Sequence, residues 1–141
     1  MSKRILVLHG PNLNLLGVRE PEVYGTLTLE ALEEQVRTWG KELDLEITTF
    51  QSNSEGELID EIHRARGRCE GIVVNAGALA HYSYALADAL AAVSLPAVEV
   101  HLSNIFAREP YRRQSVLAPA CVGVVAGLGP TGYRAALEAL A

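Results

Sequence analysis

The chain has 141 residues, room for one domain at about 150 residues per domain, and its 49% apolar, 21% charged composition with mean hydropathy +0.14 suits a packed globular unit. Seventeen acidic against twelve basic side chains leave a net charge of −5, opposite in sign to the basic footprint that holds nucleic acid, so no nucleic-acid partner is expected. No apolar run approaches the roughly 18 residues of a membrane span, and the stretch behind Lys3-Arg4 is too short for a signal peptide, so we expect no membrane association and a cytoplasmic location.

Five short aliphatic runs, at 5–8, 47–50, 72–74, 97–100 and 122–125, alternate with helical patterns. Each is apolar on consecutive positions, as a parallel strand covered on both faces must be. After the first run, a stripe of Leu29, Leu32, Val36, Trp39 and Leu43 predicts a helix capped by Thr28, with Trp39 in the core. After the second, Ser54 and Glu57 form a capping-box pattern ahead of Leu58, Ile59 and Ile62, and Gly67 marks the stop. The third run leads into a helix over about 83–93, with Leu86, Ala89, Leu90 and Val93 inward. A short helix is expected over 110–113, and a last helix from about Thr131 carries Tyr133, Ala136, Leu137 and Leu140. The expected fold is α/β: a flavodoxin-like, doubly wound, five-stranded parallel sheet in three αβα layers, with 1–141 as a single catalytic domain. In such sheets ligands bind beyond the carboxyl ends of the strands.

Those ends are where the polar residues gather. The first strand leads into His9-Gly10-Pro11-Asn12-Leu13-Asn14 and a long connection, 17–25, holding Arg19, Glu20, Glu22 and Tyr24 between Gly17 and Gly25. Connections of that length in compact domains tend to be lids or binding loops. The third strand ends at Asn75, with Gly77 and His81 following; the fourth carries Glu99 and His101 on one side and leads to Leu102, Ser103, Arg108, Arg112 and Arg113. A buried Glu99–Arg108 ion pair would account for that acid structurally, while His101 at the strand tip is the stronger candidate for catalysis. Asp88, on the third helix, reads by itself as a solvated carboxylate. His9 and His63 read as structural.

Other chemistries lack their parts. There is no GxxxxGK[ST], GxSxG or HExxH run, so P-loop, hydrolase and zincin readings are set aside, as is dinucleotide binding. The two lysines, Lys3 and Lys41, avoid the carboxyl strand ends, which disfavours a Schiff base. The histidines are scattered, so no metal site is expected. Cys69 and Cys121 have no CxxC spacing and read as reduced, buried apolar groups. A non-catalytic flavodoxin-like module would want clustered aspartates or a Ser/Thr/Gly phosphate loop at the strand ends. Gly10-Pro11-Asn12 and Asn75-Ala76-Gly77 supply neither.

The run 10–25 (GPNLNLLGVREPEVYG), with Gln51-Ser52-Asn53-Ser54-Glu55-Gly56, Asn75-Ala76-Gly77-Ala78, Glu99-Val100-His101-Leu102-Ser103-Asn104, Ala107-Arg108-Glu109 and the glycine-rich stretch 127–133, closely resembles the type II 3-dehydroquinate dehydratases over essentially the whole chain. The resemblance implies reversible dehydration of 3-dehydroquinate to 3-dehydroshikimate, the third step of the shikimate pathway, with no cofactor, metal or covalent intermediate. It makes Tyr24 the base, Arg19 the cation that activates Tyr24, His101 the acid for the departing hydroxyl, and Asn12 a ligand of the enolate oxygen, with Asn75 acting there through a water. It implies substrate binding by Asn75, His81, Leu102, Ser103 and Arg112, with Asp88 reaching a neighbouring subunit's site. Glu99, Arg108 and Gly77 take supporting roles. The small-molecule substrate would be the ligand, and the assembly a homo-oligomer, a dodecamer built from trimers. Where the family usually has Thr and Arg, this chain has Tyr82 and Ala87.

Overall fold

A computed structural model describes residues 2–18 and 20–141, the side chains of residues 23 and 24 excepted. The five strands are β1 (Lys3–His9), β2 (Leu45–Gln51), β3 (Gly71–Asn75), β4 (Ala97–His101) and β5 (Gly123–Ala126), ordered β2-β1-β3-β4-β5. All neighbours are parallel, in a register that places Ile5 opposite both Ile47 and Gly71, Ile72 opposite Ala97, and Val98 opposite Gly123. Side-chain alternation along the central strands sorts the core into two slabs. Ile5, Val7, Val73, Val98 and Val100 face α2 (Leu29–Glu42) and α5 (Thr131–Leu140). Leu6, Leu8, Ile72 and Val74 face α3 (Glu55–Ala65) and α4 (Tyr84–Val93). Trp39 is half-buried against the first slab.

The expectation of five doubly covered strands holds for three. β3 and β4 are buried throughout and β1 beyond Arg4, but β2 and β5 are edges. In β2 the polar Glu46 and Thr48 face out, and β5 starts one residue later than predicted, with Val122 and Val124 exposed. An edge strand has a neighbour on one side only, and helix cover thins there.

Helix starts follow their caps. Thr28 Oγ1 accepts from Ala31 N–H at 3.1 Å, Ser54 Oγ from Glu57 N–H at 3.3 Å and Ser83 Oγ from Leu86 N–H at 3.1 Å. The Ser54–Glu57 box closes only halfway. The Glu57 carboxylate accepts from the Ser52 hydroxyl instead, and Ser52 Oγ takes the Ser54 amide at 2.9 Å, so Ser52 supplies the reciprocal link. The expected helix at 110–113 is a single 3-10 turn, Pro110–Arg113, and a one-turn helix, α1 (Pro21–Tyr24), interrupts the long connection. Both cysteines are half-buried rather than buried and unpaired; burial raises their thiol pKa values, that of Cys121 to about 12.

Candidate functional site

β1 and β3 lie side by side, but the chain leaves them in opposite directions across the sheet, which opens a crevice beyond their carboxyl ends. The two loops touch there. Gly10 N–H donates to Asn75 O at 2.8 Å, and a Cβ on Gly10 would sit 2.4 Å from the Ala76 carbonyl oxygen. Asn12, in left-handed conformation at φ 71°, is tethered by its amide to Asn53 Oδ1 at 2.9 Å. Gln51 Nε2 donates to that same oxygen and to Gly10 O, both at 3.2 Å.

The crevice is a cleft lined by Asn12, Asn75, Gly77, His81, His101, Leu102, Ser103, Arg108 and Arg112, with Pro11, Leu13, Ala78 and Ile105. Nine of the residues singled out from the sequence thus meet in one place. Asn75 is held on both ends of its amide: Nδ2 donates to the Tyr133 hydroxyl at 3.0 Å and Oδ1 accepts from Gly77 N–H at 3.3 Å. His81 and His101 lie nearly parallel, ring centroids 6.2 Å apart at 13°. His81 Nδ1 is 2.9 Å from the Gln114 carbonyl oxygen. A carbonyl can only accept, so His81 Nδ1 carries the proton of that hydrogen bond and Nε2 is the ring nitrogen left to the cleft.

Behind His101 sits Glu99, fully buried, as the strand alternation predicts. Its Oε2 is hydrogen-bonded to His101 Nε2, and its Oε1 accepts from Ser115 Oγ at 2.6 Å. The expected Glu99–Arg108 pair is therefore corrected: β4 turns Glu99 towards its own face, and Arg108 binds elsewhere. Arg108 Nη1 donates to Ser103 Oγ at 3.3 Å, and Nη2 lies 3.7 Å from Glu20 Oε2, which ties the long connection to the cleft.

Arg112 pairs with Glu109 three residues earlier and lies 4.9 Å above the Tyr111 ring. The same guanidinium holds the Glu109 carboxyl below the usual carboxylate range. Arg108 and Arg112 are only 12% and 14% exposed, while their carboxylate partners are 42% and 52% exposed. Two shielded cations in a cleft with outlying counter-charges suit a small anion, a carboxylate above all.

Arg19 and the Tyr24 side chain lie outside the described residues; the backbone of α1 ends at Tyr24. Asp88 is exposed on α4 and does not line the cleft. The reading from residues did not single out Ser115, Asn53, Glu109 or Tyr111. A lone serine in a loop carries no sequence signal, and its value here comes from which carboxylate the fold sets opposite it. Dinucleotide binding was set aside for want of a GxGxxG run, and that ground is corrected: Gly127-Leu128-Gly129-Pro130-Thr131-Gly132 has the spacing, from the end of β5 into the start of α5. The amides that a pyrophosphate would need are spent: Gly127 N–H donates to His101 O, Gly129 N–H to Leu102 O and Gly132 N–H to Gly129 O. The run serves to brace the His101 loop. Among the described residues no three His, Cys, Asp or Glu side chains are grouped as metal ligands, and no helix is long and apolar enough to cross a membrane.

Residues 3–141 match the family described as dehydroquinase class II. The 3-dehydroquinate dehydratase of Anoxybacillus flavithermus is 56% identical over 137 residues, 97% of this chain and 93% of that protein. Crystal structures of type II dehydroquinases agree in fold: that from Propionibacterium acnes superposes with TM-score 0.95 at 46% identity, over 99% of this chain and 97% of the other. That from Butyrivibrio crossotus gives TM-score 0.96 at 45% identity, with the same coverage. With its five parallel strands, its cleft at the β1/β3 crossover and this likeness over its length, the chain belongs to the class II dehydroquinase family.

Proposed function

We propose that the cleft binds 3-dehydroquinate and eliminates water from it, reversibly and in the trans sense, to give 3-dehydroshikimate. The protein is a 3-dehydroquinate dehydratase, a hydro-lyase acting on a small molecule. The observation that carries this reading is the buried His101–Glu99 pair at the carboxyl end of β4, in a cleft with two shielded guanidinium groups, within a chain of this family.

The reaction needs a base for the proton alpha to the ketone, an acid for the departing hydroxyl, and donors for the charge between. Tyr24 is the base. A phenol ordinarily ionises near pH 10, so a neighbouring cation must favour phenolate, and Arg19, five residues earlier on the same connection, is that cation. Proton removal leaves an enolate whose oxygen is met by Asn12, and by Asn75 through a water. The ketone C=O then re-forms, the enolate's carbon–carbon electron pair moves to make a double bond between the alpha and beta carbons, the beta carbon–oxygen bond breaks, and His101 delivers the proton that makes the departing hydroxyl water. Arg112 takes the substrate carboxylate in its planar fork. His81, Ser103 and the Leu102 backbone hold hydroxyl groups, Gly77 gives room for close approach, and Arg108 steadies Ser103.

The same reading makes the protein a cytoplasmic enzyme of aromatic amino-acid and chorismate biosynthesis, and a dodecamer of trimers in which Asp88 serves a neighbour's site. Dehydration creates a conjugated enone, so ultraviolet absorbance of protein with 3-dehydroquinate is the direct assay. A protein-dependent rise is expected, and none from folded enzyme refutes the activity. Tyr24→Phe should lower kcat by about 10²- to 10⁴-fold with the circular dichroism unchanged. Retained turnover removes Tyr24 from the base role.

A further inference from the structure

Ser115 has three partners. Its Oγ accepts from Leu117 N–H at 3.2 Å and Ala118 N–H at 3.0 Å, and it lies 2.6 Å from Glu99 Oε1. A serine hydroxyl has one proton and two lone pairs. The two amides occupy both lone pairs, so the proton has a single destination, Glu99 Oε1. That oxygen can then only accept, and the remaining one, Oε2, faces His101 Nε2. Around the pair, His81 stacks on His101, and Arg108 and Arg112 share the cleft.

We infer that Ser115 is a positioning residue: by donating to Glu99 Oε1 it fixes the rotation of the carboxylate, so that Oε2, an acceptor in the ionised group, is held on His101 Nε2–H and Nδ1 is left as the ring nitrogen that exchanges a proton during turnover. The inference rests on the reading of His101 as the acid, but its structural half can be measured without substrate. The backbone amides of residues 117 and 118 fix the direction of the Ser115 hydroxyl, and that hydroxyl fixes which way the carboxylate is turned towards the imidazole.

Nitrogen-15 spectra of histidine-labelled enzyme, with the His101 signals assigned by His101→Asn, report that tautomer. The wild type should show His101 protonated on Nε2. Ser115→Ala should free the carboxylate to turn from the ring, so that both tautomers appear, with kcat lower on the order of 10- to 100-fold, as for a lost hydrogen bond to a charged group. KM should stay within about twofold, since the loss falls on the chemical step. Ser115→Thr keeps the hydroxyl and should restore both.

Glu99→Gln tests the same logic with Ser115 intact, should Ser115→Ala fail to fold. A hydroxyl that can only donate should draw the new amide oxygen towards itself, turn the NH2 group to His101 and move the ring proton to Nδ1. Adding Ser115→Ala to Glu99→Gln should release that constraint. An unchanged tautomer and kcat in Ser115→Ala, or an Nε2 proton that persists in Glu99→Gln, would overturn the role of Ser115 and leave the dehydratase reading intact. Undiminished turnover by His101→Asn would instead sink the acid role, whatever the tautomer of the wild type.

Discussion

Tyr133 is fully buried under the cleft, where its hydroxyl accepts from Asn75. Burial pushes its phenol well above the usual value, and the Asn75 hydrogen bond offsets only part of that rise. In the unfolded chain the same phenol ionises near pH 10. The folded value is the higher one, so the contribution of Tyr133 to stability is whole below about pH 10 and is lost as pH rises towards the folded value. Absorbance titration of the five tyrosines should therefore show Tyr133 ionising only as the fold opens, and Tyr133→Phe should abolish that late step. The same change strands the Asn75 amide, at a cost of about 1–3 kcal/mol below pH 10, measurable by urea denaturation. At the cleft wall, Arg112→Lys replaces a planar fork by a point charge, and should raise KM for 3-dehydroquinate about 10-fold or more with a smaller change in kcat. Equal losses in both constants would indicate that Arg112 acts in the transition state instead.

At the scale of elements, the cleft depends on two loops meeting without side chains between them. A Cβ at Gly10 would lie 2.4–2.9 Å from three backbone atoms of Ala76, none of which can swing aside. Gly10→Ala should thus destabilise the protein by about 1–3 kcal/mol and weaken substrate binding, since the β1 and β3 loops must part. The α4 cap is a second such joint. Ser83 Oγ caps Leu86 and donates to the Glu55 carboxylate at the start of α3, so one hydroxyl ties two helix starts together. Ser83→Ala should cost about 1–2 kcal/mol, read from thermal unfolding. The central strands and the caps at Thr28 and Ser54 were legible in the sequence because unbroken aliphatic runs, and a Ser or Thr before an apolar stripe, are local signals. The capping box at Ser54 was only half so, because Ser52, two residues earlier, competes for Glu57.

At the scale of the whole molecule, the exposed large apolar side chains among the described residues include Val122 and Val124 along the β5 edge and Tyr82 and Tyr84 at the start of α4, with Leu15, Val18, Phe106, Tyr111 and Leu128 on the loops. An edge strand with outward valines is an aggregation hazard unless it is covered. The proposed dodecamer predicts that light scattering reports a particle near twelve times the 15.2 kDa chain mass. A monomer that turns over 3-dehydroquinate would refute the proposed assembly and leave Asp88 without a neighbour's site to reach.

The fold class and the location of the cleft could be read from the chain alone. Strand runs, cap residues and loop lengths are local properties, and the rule that ligands sit beyond the carboxyl strand ends follows from topology. That Glu99 and His101 share a face was legible as well, because two residues apart on a strand means the same side. What tertiary structure alone decided were the partners across distance: Glu99 with Ser115 rather than Arg108, Asn75 with Tyr133, and Arg108 with Ser103 and Glu20. It also left two strands half-exposed and spent the amides of a dinucleotide-like glycine run on the loop behind His101. Hydrogen-bond geometry and burial depend on which segments meet in space, and 58 positions separate Asn75 from the hydroxyl that orients it.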